Sequence, residues 1–158
     1  MELAAIISTK VAPLIPAEQF KITVGNFPEF ADAINRLEIA LEKCPKIGET
    51  DQMEEHPAIF HYFCESTDIY ICEFDQKDSM FGYSILGGDL DNSEWGYFSL
   101  EVLRKIPLLN IDYHFNETSI EAALYTAHYG NANIMNLLDT ESLAYRFPIT
   151  GLKEVTYE

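Results

Sequence analysis

Basic residues are scarce in this chain, which has ten Lys and Arg against 26 Asp and Glu. The formal net charge of −16 over 158 residues repels phosphate, so the composition disfavours direct binding to nucleic acid or to an anionic membrane. The same field attracts cations. We therefore expect the partner to present a basic protein surface.

Long apolar runs are also missing. No stretch approaches the ~20 residues that cross a bilayer, and residues 1–14 lack the basic start of a signal peptide. The three cysteines, Cys44, Cys64 and Cys72, form an odd set without the spacing of a metal or redox site. We expect a cytoplasmic protein with reduced cysteines, although a bridge between Cys64 and Cys72 stays open because they fall in neighbouring predicted strands.

The motifs of common catalytic and cofactor sites are absent as well. The chain has no HExxH, CxxC or Gly-x-Ser-x-Gly, and Gly87-Gly88 lacks the Lys and helix of a phosphate loop. On a strand, the odd offset between His61 and Cys64 would place these two side chains on opposite faces, which argues against a shared metal. The sequence thus predicts no metal, no cofactor and no assignable catalytic residue.

The N-terminal part contains one clear helical pattern. Apolar residues recur there at intervals of four and three and share one face: Phe30, Ile34, Leu37, Leu41 and Cys44. Asn26 and Glu29 have the spacing of a capping box, and Pro45 stops the helix. Leu3, Ile6 and Ile7 predict a short helix that ends before Pro13, and the alternation of apolar and polar residues over 20–24 predicts a short strand. We expect the polar segment 46–57 to be an exposed linker.

From Pro57 onward the pattern changes to strands. Apolar runs separated by short polar breaks predict four strands, over 59–64, 69–74, 80–86 and 95–98. Sequential strands of this kind favour an antiparallel meander. An edge strand is expected over 111–115.

Three further helices are predicted after the meander. Ser99 suits the N-cap of a helix over 100–105, and Thr118 with Glu121 predicts another that ends at Gly130. A last helix is expected over 133–145. The chain is therefore predicted to be a single α+β domain, with a mostly antiparallel four- to five-stranded sheet and N- and C-terminal helices packed on it.

Residues 56–115 carry a series of short motifs in order: His56-Pro57, Ile71-Cys72-Glu73-Phe74-Asp75, Phe81-Gly82, Trp95 to Glu101, and Ile111 to Phe115. This series resembles a family of small bacterial proteins carried mainly by plasmids, conjugative elements and phages, known as a domain of unknown function. The Gly-Tyr-Phe-Ser-Leu piece carries most of the resemblance. The resemblance implies a sheet core over 56–115, with 1–45 and 117–158 as helical elaborations.

The family has no established activity, so the resemblance transfers no catalytic residue. It marks a family-like core: Glu73, Asp75, Gly82, Gly96, Tyr97, Ser99 and Asp112. It also implies an accessory gene of a mobile element, a setting in which anti-defence proteins are common.

Charge and setting together predict a non-enzymatic acidic interaction protein. Its sharpest form is an anti-defence inhibitor that mimics nucleic acid and blocks the basic surface of a host nuclease or another nucleic-acid-binding protein. The acids expected to form the binding surface lie in two segments: Glu49, Asp51, Glu54, Glu55, Asp89, Asp91 and Glu94.

Two alternatives stay open. The dense aromatic residues of the predicted strands either pack the sheet core or form a partly exposed stripe for a partner or a homodimer. A different class is a small enzyme of unknown reaction that uses sheet-core groups, namely Glu73, Asp75, Tyr97 and Asp112. Such an enzyme should show a concave pocket and a carboxylate of raised pKa.

Overall fold

The computed structural model of the chain describes residues 7–129. It has an α+β fold with a largely antiparallel sheet, as the sequence pattern predicts. The predicted helix over 133–145, the predicted helix end at Gly130 and the C-terminal tail lie outside the described residues, as do residues 1–6 of the predicted N-terminal helix. None of the helices in the described range is both long and apolar enough to span a membrane.

Seven strands are present in the described range: β1 Pro57–Ala58, β2 Phe60–Cys64, β3 Thr67–Phe74, β4 Ser79–Ile85, β5 Glu94–Ser99, β6 Asn110–Ile111 and β7 Thr118–Ser119. Five of them form an antiparallel sheet in the order β5-β4-β3-β2-β6, and β1 pairs with β7 in a separate ribbon. The predicted four-strand meander is confirmed. The strand expected over 111–115 shrinks to β6, which lies at the sheet edge beside β2.

The helices flank this sheet: α1 Ala17–Gly25, α2 Phe27–Lys43, α3 Leu100–Lys105 and α4 Ile120–Tyr129. Two short 3₁₀ turns, Ala12–Leu14 and Leu90–Asn92, connect the elements. The predictions of α2 and α3 are confirmed. The Ser99 hydroxyl caps α3 by accepting from Val102 N–H at 3.3 Å and donates to Asp78 Oδ2 at 2.8 Å.

The strand predicted over 20–24 is wrong, because these residues belong to α1. Phe20 and Val24, four residues apart, pack against the core, whereas Ile22 between them is 61% exposed. The alternation of large apolar residues masked a helical period that also includes the buried Thr23.

The predicted N-caps of two helices are also wrong. The Asn26 side chain donates to Ile22 O at 2.9 Å rather than capping α2, since α1 ends directly before it. At the start of α4, Ser119 rather than Thr118 accepts from Ala122 N–H at 3.0 Å, because α4 begins at Ile120 and Ser119 is the residue directly before it.

The first face of the sheet carries the main hydrophobic core. Side chains from α1, α2, α3 and the N-terminal segment meet alternate residues of the strands there, including the fully buried Tyr62, Ile71 and Met80. The Tyr62 hydroxyl donates to Leu14 O at 2.7 Å, and the Thr23 and Tyr113 hydroxyls are 2.7 Å apart. These bonds satisfy the polar atoms of an otherwise apolar layer.

The segment 46–56, called here the acidic arm, is anchored rather than a free linker. Its acids are exposed, but Thr50 and His56 are buried, so the predicted exposed linker is wrong at these two positions. The Glu73 carboxylate, 1% exposed, holds the arm by accepting from Gly48 N–H at 2.8 Å, from Thr50 N–H at 2.9 Å and from the Thr50 hydroxyl. The arm thereby runs from the end of β3 to β1.

Candidate functional site

The second face of the sheet is lined by rings, because alternate strand residues point to it: His61, Tyr70, Phe81, Tyr83, Trp95 and Tyr97. Part of this face is covered, since Ile120 and Leu124 of α4 pack with Tyr70 and Tyr83 in a second apolar cluster. The predicted aromatic set therefore contributes both to a core and to a surface.

At the β4–β5 edge the rings form a cluster called here the aromatic patch, made of Phe81, Trp95 and Tyr97. Phe81 stacks on Trp95 with centroids 5.5 Å apart and lies 4.9 Å from Tyr97. Tyr97 is 69% exposed, and the other two are partly exposed. A surface of large rings next to an edge strand is typical of a binding site.

Polar atoms without partners collect at the border of the patch. The His56 ring lies 4.6 Å from the Trp95 ring, and Glu121 Oε1 accepts a hydrogen bond from the backbone N–H of His56 at 2.6 Å. His56 Nδ1 is 3.4 Å from the same oxygen, which is ion-pair distance without hydrogen-bond geometry. In the described range, four buried side-chain polar atoms have no hydrogen-bond partner, and three of them are here: His56 Nδ1, Trp95 Nε1 and Glu121 Oε2. Such groups are costly to bury, so their clustering marks this place as a candidate site.

The contact between His56 and Trp95 also joins the two acidic segments. Glu55 directly precedes His56, and Glu94 directly precedes Trp95, so the acidic arm and the start of β5 meet beside the aromatic patch. All seven acids predicted for the binding surface are exposed. Glu49 and Asp89 also have local roles, because Glu49 accepts from Lys46 N–H and Asp89 accepts from Asn92 N–H.

A shallow cavity of about 480 Å³ lies where the acidic arm meets β7. Its lining includes the carboxylates of Glu55 and Glu117 and no basic side chain, with Met53, Pro57, Thr118 and Ser119 completing the wall. The negative charge of the arm therefore has a concave part.

A second polar cluster, which the sequence reasoning missed, lies on the same face near β6. His61 Nε2 is 2.7 Å from Asp68 Oδ1, and His61 Nδ1 is 3.0 Å from Asp112 Oδ2. The ring stacks on Tyr70 at 4.6 Å, and Phe115 packs beside it at 5.4 Å. A two-residue turn after Cys64 would have predicted Asp68 diagonally opposite His61, whereas Asp112 comes from a distant edge strand.

The two carboxylates control the protonation of His61. Burial alone would lower the pKa of the ring, but the hydrogen bonds to Asp68 and Asp112 raise the pKa above its ordinary 6.5. An imidazole that faces a carboxylate at each nitrogen donates to both only as the imidazolium. Both nitrogens are then occupied, so His61 offers no free nitrogen for base catalysis in this geometry.

We predict that the His61 cluster makes stability fall as pH rises. The folded-state pKa is raised, so the contribution is complete below pH 6.5 and is lost as pH increases through the folded-state pKa. Tyr70 stays neutral in this range, because burial raises its pKa further above the ordinary value. The free-energy difference of unfolding between wild type and His61→Gln should shrink between about pH 5 and about pH 9.

A nuclear magnetic resonance titration provides the direct check on His61. Its ring resonances should titrate with a midpoint above 6.5. The exposed His114 of the same chain serves as an internal comparison. A His61 midpoint at or below 6.5, or a stability difference that does not change with pH, would contradict the prediction.

The residues of the enzyme alternative do not gather in one place. Glu73 holds the acidic arm, and Asp112 pairs with His61 beside the β6 edge. Tyr97 lies on β5 at the opposite edge, four strand spacings or about 19 Å away. The Asp75 carboxylate accepts from the backbone of Lys77, Asp78 and Ser79, and these bonds lower its pKa. Each group is used in a separate structural contact.

The cysteines in the structure are unpaired thiols. Burial is the main cause that raises the pKa of Cys44 and of Cys72 to about 12, so both stay protonated and unreactive at neutral pH. Within residues 7–129, no group of three or more His, Cys, Asp or Glu side chains is arranged to hold a metal ion.

Comparisons of the chain with protein-family models, curated proteins and solved structures gave no match. The resemblance over residues 56–115 therefore stays a prediction. The geometry of the second face is the basis for a functional proposal.

Proposed function

We propose that this protein is a binding module that recognises a basic protein surface through the aromatic patch and the acids beside it. One observation carries the proposal: the contact between His56 and Trp95, with centroids 4.6 Å apart, brings two acidic segments to one partly exposed set of rings. Aromatic faces and carboxylates both attract Arg and Lys side chains.

The physical roles of the two parts differ. The net charge of −16 steers a cationic partner and accelerates its association, and salt screens this effect. The rings of the patch supply apolar area and cation–π contact that persist at higher salt. Binding should therefore combine a strong salt dependence of the association rate with a residual affinity that depends on Tyr97.

The narrower form of the proposal is an anti-defence inhibitor of a mobile element that occupies the nucleic-acid-binding surface of a host nuclease in the cytoplasm. The acidic composition and the exposed acids of the two segments support it, as does the setting implied by the resemblance. Glu73 and Asp112 take no part, since each is held in an internal contact away from the patch.

Trp95 is the single tryptophan of the chain, so its fluorescence reports on the patch directly. Titration with a synthetic peptide of arginines spaced by aliphatic residues should shift the emission and saturate. The apparent affinity should fall at least about tenfold between low salt and about 0.5 M salt. At the higher salt concentration, mobile ions screen surface charges over roughly a few ångströms. An emission that does not respond to the peptide would exclude the patch as the site.

Matched variants separate the site from general charge. Changing Glu54, Glu55 and Glu94 together to Gln should weaken binding clearly more than the same change at Glu29, Glu38 and Glu42, exposed acids of the opposite helical layer. Tyr97→Ser should weaken binding, whereas Ile22→Ser, at a residue 61% exposed on α1, should not. Equal losses in both acidic triples would mean that only net charge matters.

The narrower form needs a test of its own. Purified protein should inhibit a basic host nuclease by competing with its nucleic acid, and capture from a host extract should be lost at high salt. A partner that is not basic, or capture that is insensitive to salt, would exclude the nucleic-acid mimic while leaving the binding module open.

A further inference from the structure

Three of the ten basic residues of this chain line one surface cavity. The cavity measures about 440 Å³ and lies between the β3–β4 turn, α3 and the N-terminal segment. Its basic side chains are Lys77, Arg104 and Lys105, and Pro13 and Leu100 form its apolar wall. In a chain of net charge −16, such a concentration of cations is unexpected from composition.

The two acids of the same cavity are already engaged by other donors. The Asp78 carboxylate accepts from the Ser99 hydroxyl at 2.8 Å and from Glu101 N–H at 2.8 Å. Glu101 pairs with Lys105 at 3.2 Å. Three cations and two carboxylates leave the lining with a formal charge of +1, and neither Lys77 nor Arg104 forms an ion pair among the described residues.

Arg104 provides the second, independent observation. Its Nε is buried and has no hydrogen-bond partner in the structure. Because Nε is closed off from solvent, a ligand would meet the terminal amino groups of the guanidinium, which lines the cavity. A guanidinium without an ion pair is well suited to bind a carboxylate or phosphate in a bidentate manner. The cavity volume falls in the range of about 300–1,000 Å³ typical of small-molecule sites.

We propose that this cavity binds a small organic oxyanion, with its phosphate or carboxylate on Arg104 and Lys77 and its organic part against Pro13 and Leu100. The cavity exceeds what a bare ion fills, and its wall offers apolar area beside the cations. This site is separate from the aromatic patch, so the inference does not depend on the proposed function.

Calorimetric titration with three probes tests the proposal: inorganic phosphate, phenyl phosphate and benzoate. Phenyl phosphate should bind with one-to-one stoichiometry and more tightly than inorganic phosphate, because only the former contacts the apolar wall. Comparison of phenyl phosphate with benzoate distinguishes a phosphate from a carboxylate as the preferred group. The Arg104 Nε–H resonance should shift on binding. Absence of saturable binding of all three probes would overturn the proposal.

Variants locate the binding. Arg104→Met keeps the aliphatic stem and should weaken phenyl phosphate binding at least about tenfold, as expected for loss of a charged hydrogen bond. Lys77→Ala combined with Lys105→Ala, both at exposed positions, serves if Arg104→Met fails to fold. Lys21→Ala removes one exposed charge from α1 outside the cavity and should leave affinity unchanged. Equal weakening by Lys21→Ala, or none by the cavity variants, would overturn the site.

Discussion

Gly82→Ala is expected to unfold the protein or to remove most of its stability. A Cβ atom at this position would lie 1.9 Å from Tyr70 O and 2.9 Å from Ile71 Cα, both backbone atoms of β3. The β-bulge between Ile71 and Glu73 interrupts the regular register beside Gly82. Relief of the clash requires β3 and β4 to separate at the centre of the sheet, so we expect a loss of at least about 3 kcal/mol.

Gly96 provides the matched control for Gly82. It is the cross-strand partner of Gly82 on β5, but a Cβ atom there meets nothing within 4 Å. Urea denaturation of Gly96→Ala should give a free energy of unfolding within about 1 kcal/mol of wild type. Similar stability of the two variants would show that β3 and β4 do not approach as closely as described.

Glu73→Ala is expected to destabilise the fold by about 2–5 kcal/mol, because it removes the acceptor shared by three donors, two of which belong to the buried Thr50. The N–H groups of Gly48 and Thr50 and the Thr50 hydroxyl would lose their shared partner. A buried donor without a partner costs about 1–3 kcal/mol. Chemical denaturation measures the loss, and proteolysis of the acidic arm before global unfolding would show where it occurs.

Two substitutions control for the charge and the location of Glu73. Glu73→Gln keeps one acceptor oxygen but presents an NH₂ group to the other donors, so an intermediate loss is expected. Glu54→Gln, at an exposed acid of the same arm, should change stability by less than about 0.5 kcal/mol. A Glu73→Ala variant as stable as Glu54→Gln would show that the arm is not anchored through this carboxylate.

The arm also links these predictions to the proposed function. Glu55 is held next to the patch through the adjacent His56, which is buried and lies 4.6 Å from Trp95. Loss of the Glu73 anchor should therefore weaken binding of a basic peptide even where the fold survives. Binding by a folded Glu73→Gln variant thus tests whether the arm must be held in place.

The elements with local periodicity were predictable from the chain. The face of α2 that carries Ile34, Leu37 and Leu41 repeats at the helical period and is buried as expected. The meander from β2 to β5 follows apolar runs with short breaks. Over α1, the residues Phe20 and Val24 fit both a strand and a helical period, and only packing against the core selects the helix.

The candidate site was predictable only in part. The acids of the two segments were predicted to form the binding surface because acids are concentrated in these polar segments. Their exposure follows from the cost of burying a charge. The contact between His56 and Trp95 joins residues 39 positions apart, and Glu121 comes from a different helix. Such meetings depend on how α4 and the arm cross the sheet, for which a single sequence carries no periodic pattern.

Composition and local periodicity by themselves determined the strong negative charge, the helix α2 and the antiparallel meander, because each depends on residues close together in the chain. The tertiary structure alone decided which carboxylates are available. It buries Glu73 under the arm, places Asp112 on His61 and leaves Glu94 exposed beside Trp95. The physical reason is that a carboxylate is engaged only where hydrogen-bond donors from distant segments reach it. Those donors come close to it only when the helices and the sheet pack together.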